Sequence, residues 1–351
     1  DMNNDLKLTI VVPIYNVEQY LEQCLDSLVN QSNHDFKVIM VDDGSKDKSG
    51  EIAQKYAEKF PERFFYVYKE NAGLGAARNT GMEYCDTEYI EFLDSDDWLL
   101  PRTVELVLDR LEREVEKPEI VFMTPVVYDM SNCKFTEFAD NEELRRIFEY
   151  TMVTNPQQSP KMFGLEASVN RCIWSMEFLK KYKFSFPTGV KWEDVVPHFY
   201  IFYWARRCIM VENVGFCYRI NSGNQITASS DAGRLDIIPV FSKTLVYAIE
   251  NGWNENEISY ILRMFFTFAT WSMAVTKKEN YGELVKKIHL YLKAVPKRYI
   301  NIFIKQRELC RKEIILLRLL RSSLYKVICN YHRKEFITKA VVKIGKNIRR
   351  K

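Results

Sequence analysis

The sequence predicts an α/β protein with a doubly wound, largely parallel sheet and a helical C-terminal region. Over the first 125 residues, short apolar runs rich in β-formers alternate with segments of helical periodicity. Three of these runs end in polar clusters, at the strand ends where such sheets bind ligands. Beyond residue 231 the apolar residues recur at helical spacing. We therefore expect one domain over 1–225 and a helical region over 226–351.

The predicted elements follow one another in order along the chain. Each strand is a short apolar run, and each helix has apolar residues at helical spacing. Strands are expected over 8–16, 36–45, 64–69, 88–93, 119–124 and near 208–219, and helices over 18–31, 47–60, from near 75, over 101–116, around 173–182 and 194–205, and beyond 231 with breaks at Gly252 and Gly282.

The charge distribution is uneven, although the net charge of the 351 residues is only +3. Residues 305–351 hold fifteen Lys or Arg and three acids, in a partly amphipathic pattern. This basic tail is either a solvated surface helix or a segment that binds an anionic membrane, where five or six cations would contribute about 5 kcal/mol. Contacts between C-terminal helices in a homo-oligomer are a further possible use. No nucleic-acid recognition module is present, so we expect no nucleic-acid partner.

The spacing of the eight cysteines and the length of the apolar runs indicate in which cellular compartment the protein works. The cysteines form no CxxC pair, so we expect reduced thiols of a cytosolic protein, without zinc or disulfides. The sequence contains no signal-peptide pattern and no apolar run of about 18 residues. We therefore expect a cytoplasmic protein, peripheral on the inner face of the cell membrane.

The three polar clusters follow the predicted strands at 8–16, 36–45 and 88–93. They read Pro13-Ile14-Tyr15-Asn16, Asp42-Asp43-Gly44-Ser45 and Asp94-Ser95-Asp96-Asp97. If these strands are parallel neighbours, the clusters share one rim of the sheet. At this rim Tyr15 offers an aromatic face, and Asp42 or Asp43 accepts hydrogen bonds from a base or ribose. A turn followed by a helix cap is the alternative for the second cluster.

The third cluster concentrates negative charge where an apolar strand ends. At about 5 Å and an effective dielectric of about 20, each carboxylate pair repels by about 3 kcal/mol. Asp94 and Asp96, with Ser95 between them, suit a hard cation such as Mg²⁺ or Mn²⁺ that also contacts substrate phosphates. A capping turn before the next helix is the simpler alternative.

Two further segments carry candidate residues. "NAGLGAARNTG" (71–81) is an incomplete dinucleotide pattern, and it is also typical of a loop that approaches a nucleotide, with Arg78 facing phosphate or ribose. "KWEDVVPHF" (191–199) places Glu193 and Asp194 in an apolar setting that favours a general base, although acids at a helix N-terminus are equally expected. His198 follows at helical spacing as a candidate metal or acceptor contact.

Taken in order, "VVPIYN", "VDDGS", "NAGLGAARNTG", "FLDSDDW" and "WED" resemble the inverting family 2 glycosyltransferases of the GT-A fold, of the bacterial surface-glycan type. The resemblance covers roughly residues 6–220. It implies a nucleotide-sugar donor, usually a UDP-sugar, and a glycan or lipid-linked acceptor. It also implies the site residues: Pro13, Tyr15, Asn16, Asp42 and Asp43 for base and ribose, Asn71 and Arg78 for ribose and phosphate, and Asp94 and Asp96 for the metal-diphosphate. Asp96 is the first choice of metal ligand, since Asp94 is also expected toward ribose, and Ser95 is expected to bind the nucleotide sugar. Asp194 is implied as base with Glu193 assisting, and Trp192, His198 and Arg219 lie toward acceptor or phosphate.

Two other functions compete with sugar transfer at this stage. A nucleotidyltransferase that makes an activated sugar shares the fold type, but it requires a basic, glycine-rich loop near the first strand, and "VVPIYNVEQYLEQ" has none. A catalytically silent glycan-binding or scaffold protein would not need the acids, all of which are present. Hydrolysis of a donor in the presence of Mn²⁺ separates an enzyme from a scaffold.

Overall fold

The structure is a computed structural model that describes residues 6–149, 153–221 and 232–330. The chain divides into two compact units, Asp1–Ile226 and Thr227–Lys351. Part of the predicted basic tail, residues 331–351, lies outside the described residues.

The first unit is built on two β-sheets. Its strands are β1 Leu8–Ile14, β2 Phe36–Asp42, β3 Phe64–Tyr68, β4 Tyr89–Phe92, β5 Trp98–Leu99, β6 Ile120–Met123, β7 Val126–Asp129, β8 Lys134–Glu137, β9 Cys172–Ser175, β10 Cys208–Val211 and β11 Phe216–Ile220. The larger sheet has seven strands in the order β10-β6-β9-β4-β1-β2-β3, in which β1 pairs in parallel with both β2 and β4, and β9 runs antiparallel to β4 and β6. The smaller sheet has the order β5-β11-β7-β8, in which β11 pairs antiparallel with β5 and parallel with β7.

Helices cover the large sheet, so its central strands are buried on both faces. All seven residues of β1 are buried, as expected for a strand with a continuous apolar run. α1 and α4 turn apolar stripes toward the core and charged side chains outward. The helices of this unit are α1 Leu21–Val29, α2 Ser49–Lys59, α3 Leu74–Glu83, α4 Thr103–Arg113, α5 Asn141–Phe148, α6 Met176–Lys181 and α7 Phe202–Trp204, with 3₁₀ turns at Pro160–Gly164 and Val169–Arg171 and a π-helical turn at Pro197–Ile201.

Three details differ from the sequence prediction. The first part of the helix expected around 173–182 is β9, because a short apolar run buried on both faces has no periodicity that separates strand from helix. α4 begins at Thr103 rather than Pro101, after Arg102 in the left-handed conformation (φ 63°). Gly282 does not break a helix but lies inside the helix Lys278–Ala294, where an added Cβ would meet open space.

The second unit is helical, as predicted. Its helices are α8 Ile237–Glu250, α9 Glu255–Val275, α10 Lys278–Ala294, α11 Lys297–Gln306, α12 Arg311–Arg321 and α13 Tyr325–Cys329, after a 3₁₀ turn at Ala232–Asp236. α9 starts with a capping box in which Asn254 and Glu257 bond each other's backbone N–H, at 3.0 and 2.9 Å.

α9 is long and apolar enough to cross a membrane by length and composition, which the search for apolar runs did not anticipate. Of its most apolar 18 residues, 56% are buried within the protein. Phe265 packs on Phe241 and Tyr291 with ring centroids 5.5 and 4.0 Å apart, and Phe266 packs on Phe303. This packing is that of a central helix in a helical unit. The eight cysteines are free thiols, and five of them are buried.

Candidate active site

The predicted convergence of polar clusters is confirmed by the strand register. Ile14 at the end of β1 pairs with Asp42 at the end of β2, and Val11 of β1 pairs with Phe92 of β4. Because these three strands are parallel neighbours, their carboxyl ends form one rim, and the segments that follow them lie together there.

The first two clusters are bonded to each other at this rim. Asn16, in the left-handed conformation (φ 50°), accepts a bond from the Lys46 amide at 2.8 Å, and its own amide donates to Ser45 Oγ at 3.1 Å. Tyr15 is 49% exposed, so its ring is available for stacking. Pro13 is buried within β1, and its expected contact with the base stays a prediction.

The two aspartates of the second cluster are buried and held by protein groups. Asp42 accepts the Ser45 amide at 2.8 Å and the Tyr66 hydroxyl at 2.7 Å, and burial together with this bond raises the pKa of Tyr66 to about 12. Asp42 thus closes the turn that follows β2 and fixes it to β3. Its expected contact with base or ribose stays a prediction.

Asp43 organises the loop that leads into α3. Its Oδ1 accepts Lys69 Nζ at 2.6 Å and the Ala72 amide at 3.0 Å. Its Oδ2 accepts the Gly73 amide at 2.8 Å and Asn71 Nδ2 at 3.2 Å. Gly73 has φ 90°, a conformation that favours glycine. Asp43 therefore shapes the Asn71 loop, and direct contact of either residue with a nucleotide stays a prediction.

The third cluster forms a tight turn between β4 and β5. The Asp97 amide donates to the Asp94 carbonyl at 3.0 Å, and Asp97 Oδ1 accepts the Arg219 amide at 2.8 Å. Arg219 Nε donates to the Asp96 carbonyl at 2.7 Å, and its guanidinium stacks between the rings of Tyr20 (4.6 Å) and Trp98 (4.7 Å). Arg219 thus holds the turn in place and fixes the backbone position of Asp96.

The acids of this turn are stabilised to different degrees. Burial, and then the charge of neighbouring Asp94, raise the pKa of Asp96 to about 6. In the described part of the chain no side chain forms an ion pair with Asp96. Asp94 is bonded to Arg78, and Ser95 is buried between the two aspartates.

Arg78 of α3 connects this turn to the distant acidic pair. Its Nη1 donates to Glu193 Oε1 at 2.8 Å and to Asp194 Oδ1 at 2.5 Å, and its Nη2 donates to Asp94 Oδ1 at 2.9 Å. Its side chain is 1% exposed, and the guanidinium lies 5.4 Å from the Phe186 ring centroid. Burial alone would lower the pKa of Arg78, but the three carboxylates raise it above its usual value.

The segment that carries Glu193 and Asp194 is docked on α3. Asn79 pairs with the Phe186 backbone in both directions, at 2.7 and 3.0 Å. Gly75 allows this approach, since a Cβ there would lie 2.2 Å from the Pro187 carbonyl oxygen. Trp192 then adopts a left-handed conformation (φ 69°) immediately before the acidic pair.

The two acids of the pair differ in accessibility. The Asp194 side chain is 25% exposed and that of Glu193 is 11% exposed. Asp194 Oδ2 accepts the Val169 amide at 3.3 Å. Burial raises the pKa of Glu193 to about 7, against the opposing charge of Arg78, and burial likewise raises the pKa of Asp194. Asp194 is therefore the more accessible carboxylate of raised basicity.

The sequence profile described as glycosyl transferase family 2 matches residues 9–173, which include the whole rim and Arg78. Residues 9–173 are therefore similar to the glycosyltransferases of family 2. The Glu193–Asp194 pair lies beyond the matched range, although Arg78, inside that range, bonds both acids.

Curated relatives agree with this assignment. EpsH of Bacillus subtilis (strain 168) is 31% identical over 225 residues, covering 61% of this chain and 61% of EpsH. The minor teichoic acid biosynthesis protein GgaB of the same organism is 39% identical over 115 residues, covering 32% of this chain and 13% of GgaB. The chain thus spans less than two thirds of the length of either relative.

A solved structure matches nearly the whole chain. Residues 1–349 of S. aureus TarS, in complex with UDP-GlcNAc, superpose with a TM-score of 0.72 at 19% identity, over 92% of this chain and 90% of that chain. At this identity the match shows the fold. The fold is therefore GT-A with a helical C-terminal region, as the resemblance implied.

Two further candidate residues are buried. His198 is 3% exposed, its Nε2 bonds the Phe163 carbonyl at 3.0 Å, and its ring packs on Phe199 and Phe202. Burial lowers the pKa of His198 to about 4, so the ring is neutral at pH 7 and fills a packed aromatic cluster. Arg219 is 4% exposed and is bonded to the aspartate turn, and its expected contact with acceptor or phosphate stays a prediction.

Sequence reasoning missed two partners of the site residues, one for Asp43 and one for Arg219. Lys69 neutralises Asp43, and Gln23 accepts Arg219 Nη2 at 2.6 Å. The position of Lys69 directly after β3 was a usable signal, because that strand end belongs to the same rim. Gln23 on α1 carried no signal, since only the tertiary fold brings it to β11.

Proposed function

We propose that this protein transfers a sugar from a nucleotide-diphosphate sugar, a UDP-sugar, to a hydroxyl of a cell-surface glycan or lipid-linked acceptor, with inversion. The similarity to family 2 and the likeness to TarS, a structure with UDP-GlcNAc, support the donor class. The likeness to GgaB, a teichoic acid biosynthesis protein, supports the acceptor class.

One observation carries the proposal. Asp94, at the end of β4, and the Glu193–Asp194 pair, about a hundred residues later, bind the same guanidinium at 2.5–2.9 Å. A donor held at the aspartate turn would therefore have its sugar beside a partly exposed carboxylate. This juxtaposition of a diphosphate site and a base is what a single-displacement transfer requires.

The aspartate turn fits a divalent cation. Among the described residues no cluster of three acidic, His or Cys ligands exists, so the protein offers the two carboxylates Asp94 and Asp96. Mg²⁺ and Mn²⁺ are commonly held by one or two carboxylates together with substrate phosphates. Asp96 forms no ion pair with a described side chain, and burial raises its pKa more than the nearby charge of Arg219 lowers it. When bound, Mg²⁺ or Mn²⁺ would neutralise charge on the leaving diphosphate.

In the proposed transfer, residues of the chain receive the proton of the acceptor hydroxyl and hold the reacting groups in place. An acceptor hydroxyl next to Asp194 gives its proton to that carboxylate as its oxygen bonds the anomeric carbon. The bond from that carbon to the phosphate oxygen breaks, and its electron pair leaves with the diphosphate. Glu193 stays on Arg78 and keeps the segment in place. Tyr15 stacks on the base at the other end of the donor.

The test starts from a thermal-shift panel of nucleotide sugars with and without Mn²⁺. With the stabilising donor, we expect Asp194→Asn to keep donor affinity but to lower turnover about 10²- to 10⁴-fold, because the base is lost. Asp96→Asn should weaken donor binding only when Mn²⁺ is present. Asp109→Asn, an exposed acid on α4, is the matched control. Near-normal turnover by Asp194→Asn would refute the base, and the absence of stabilisation by any nucleotide sugar would refute the function.

We further propose that the protein works at the cytoplasmic face of the membrane, held there by its basic C-terminal helices. In the described part of the tail, Arg311, Lys312, Arg318 and Lys326 are exposed. Exposed Leu324 adds an apolar contact on the same short stretch. Cationic side chains beside an apolar one suit the interface of an anionic bilayer.

A further inference from the structure

We propose that Arg78 is a positioning residue for the transfer: it holds the Asp194 carboxylate in place and ties it to the aspartate turn, and it does not bind the donor phosphates. The inference rests on the proposed function. It differs from the phosphate or ribose contact that the sequence implied for Arg78.

The contacts of the guanidinium support this role. Both terminal nitrogens are directed at carboxylates, Nη1 at Glu193 and Asp194 and Nη2 at Asp94. With the side chain 1% exposed and stacked over Phe186, a phosphate has no open path to it in this arrangement. A planar guanidinium with a fixed fork of donors can serve several carboxylates at once, which a single ammonium does less well.

The neighbouring contacts fix Arg78 itself. The next residue, Asn79, pairs with the Phe186 backbone, and Gly75 lets the Pro187 carbonyl lie against the same helix. α3 therefore anchors the segment before Asp194 at two points, and Arg78 adds the third at the carboxylate. Movement of the base away from the donor requires breaking the bonds to Arg78.

The link also explains how acids from distant parts of the chain stay together. Asp94, Glu193 and Asp194 are all partly or fully removed from solvent, and their charges oppose one another. In the described residues Arg78 is the cation that all three share. Loss of Arg78 would leave the segment that carries Glu193 and Asp194 free to turn outward into water. The Asp194 base and the donor would then no longer meet at reaction distance.

The first experiment separates positioning from phosphate binding. Arg78→Gln and Arg78→Lys are compared with wild type for the dissociation constant of UDP with MnCl₂, by calorimetry, and for turnover of the donor found in the panel. We expect the UDP constant to change less than about threefold while kcat falls about 10²-fold in Arg78→Gln, and Lys to restore part of kcat. A UDP constant raised tenfold or more with kcat retained would overturn the inference.

A second measurement does not need activity, so it also decides the case in which no nucleotide sugar is turned over. Arg78→Gln, Asp194→Asn and the double variant form a cycle of unfolding constants in urea. Groups in direct contact should be non-additive, here by about tenfold or more. Additive effects would show that the two side chains do not hold each other, and would overturn the inference even if the proposed function stood.

Arg207→Gln is the matched control. Arg207 is a partly buried arginine that pairs with Glu114 at 2.6 Å, just before β10 and therefore at the opposite end of the strands. This variant should lose stability but keep UDP affinity and kcat. An equal fall of kcat in Arg207→Gln would mean that loss of any buried arginine slows turnover, which would also contradict a positioning role specific to Arg78.

Discussion

Glu91 offers a quantitative test of the central sheet. It lies on β4 between Ile10 of β1 and Ile173 of β9, is 0% exposed, and has no hydrogen-bond partner for either carboxylate oxygen in the described chain. Burial raises its pKa from 4.5 to about 8. Glu91 is therefore a neutral acid in the folded protein at pH 7, although it ionises in the unfolded chain.

The sign and size of the effect follow from proton linkage. Between pH 4.5 and about 8 the folded state binds one more proton at Glu91 than the unfolded state, so unfolding free energy falls as pH rises. The slope is about 1.4 kcal/mol per pH unit, and the whole interval corresponds to about 5 kcal/mol. Below pH 4.5 both states are protonated, and above 8 both are ionised, so the slope vanishes there.

The perturbation is Glu91→Gln, which keeps the shape and removes the titration. Urea unfolding from pH 5 to pH 8 should show the variant gaining about 4 kcal/mol relative to wild type, because only wild type must release a proton on unfolding. Glu105→Gln is the control: bonds from Arg102 and Ser32 lower the pKa of Glu105 to about 2, below the tested range. A difference between Glu91→Gln and wild type that does not change with pH would refute the reasoning.

Two further predictions concern the segment that precedes Asp194 and the basic tail over 305–351. Gly75→Ala should lower both stability and kcat, because its Cβ would lie 2.2 Å from the Pro187 carbonyl oxygen and push the segment before Asp194 off α3. Urea unfolding and donor turnover measure the two effects, and Gly282→Ala, whose Cβ would meet open space, is the control. Replacing Arg318 and Lys326 by Glu should reduce co-sedimentation with phosphatidylserine vesicles but not with phosphatidylcholine vesicles, in a salt-sensitive manner; unchanged binding to the anionic vesicles would place the membrane contact elsewhere.

The rim of the site could be predicted from sequence because it depends on strand order alone. Parallel strands bring their carboxyl ends to one edge, so the polar residues after β1, β2 and β4 had to meet once the strands were neighbours. The regular order of apolar runs and helical segments was sufficient evidence for that arrangement. The local pattern was therefore enough to predict the rim.

The contacts between acids and cations could not be predicted in the same way. Arg78 bonds residues 16, 115 and 116 positions away, and nothing in the spacing of the motifs selects these partners. The insertion of antiparallel β9 between β4 and β6 was missed for a related reason, since pairing between distant strands leaves no local period. Long-range pairing decides which polar group is satisfied by protein and which is left for a ligand.

The aspartate turn contains both polar groups that the protein itself bonds and a group that is left for a ligand. Three carboxylates within four residues are each in a different state: Asp94 bonds Arg78, Asp97 bonds the Arg219 amide, and Asp96 forms no ion pair with a described side chain. Burial raises the pKa of Asp96 to about 6 and that of Asp97 well above its usual value. Because Asp94 is already bonded to Arg78 and Asp97 is 1% exposed, a bound cation would act chiefly on Asp96. Loss of that carboxylate should then remove metal dependence without disturbing the turn.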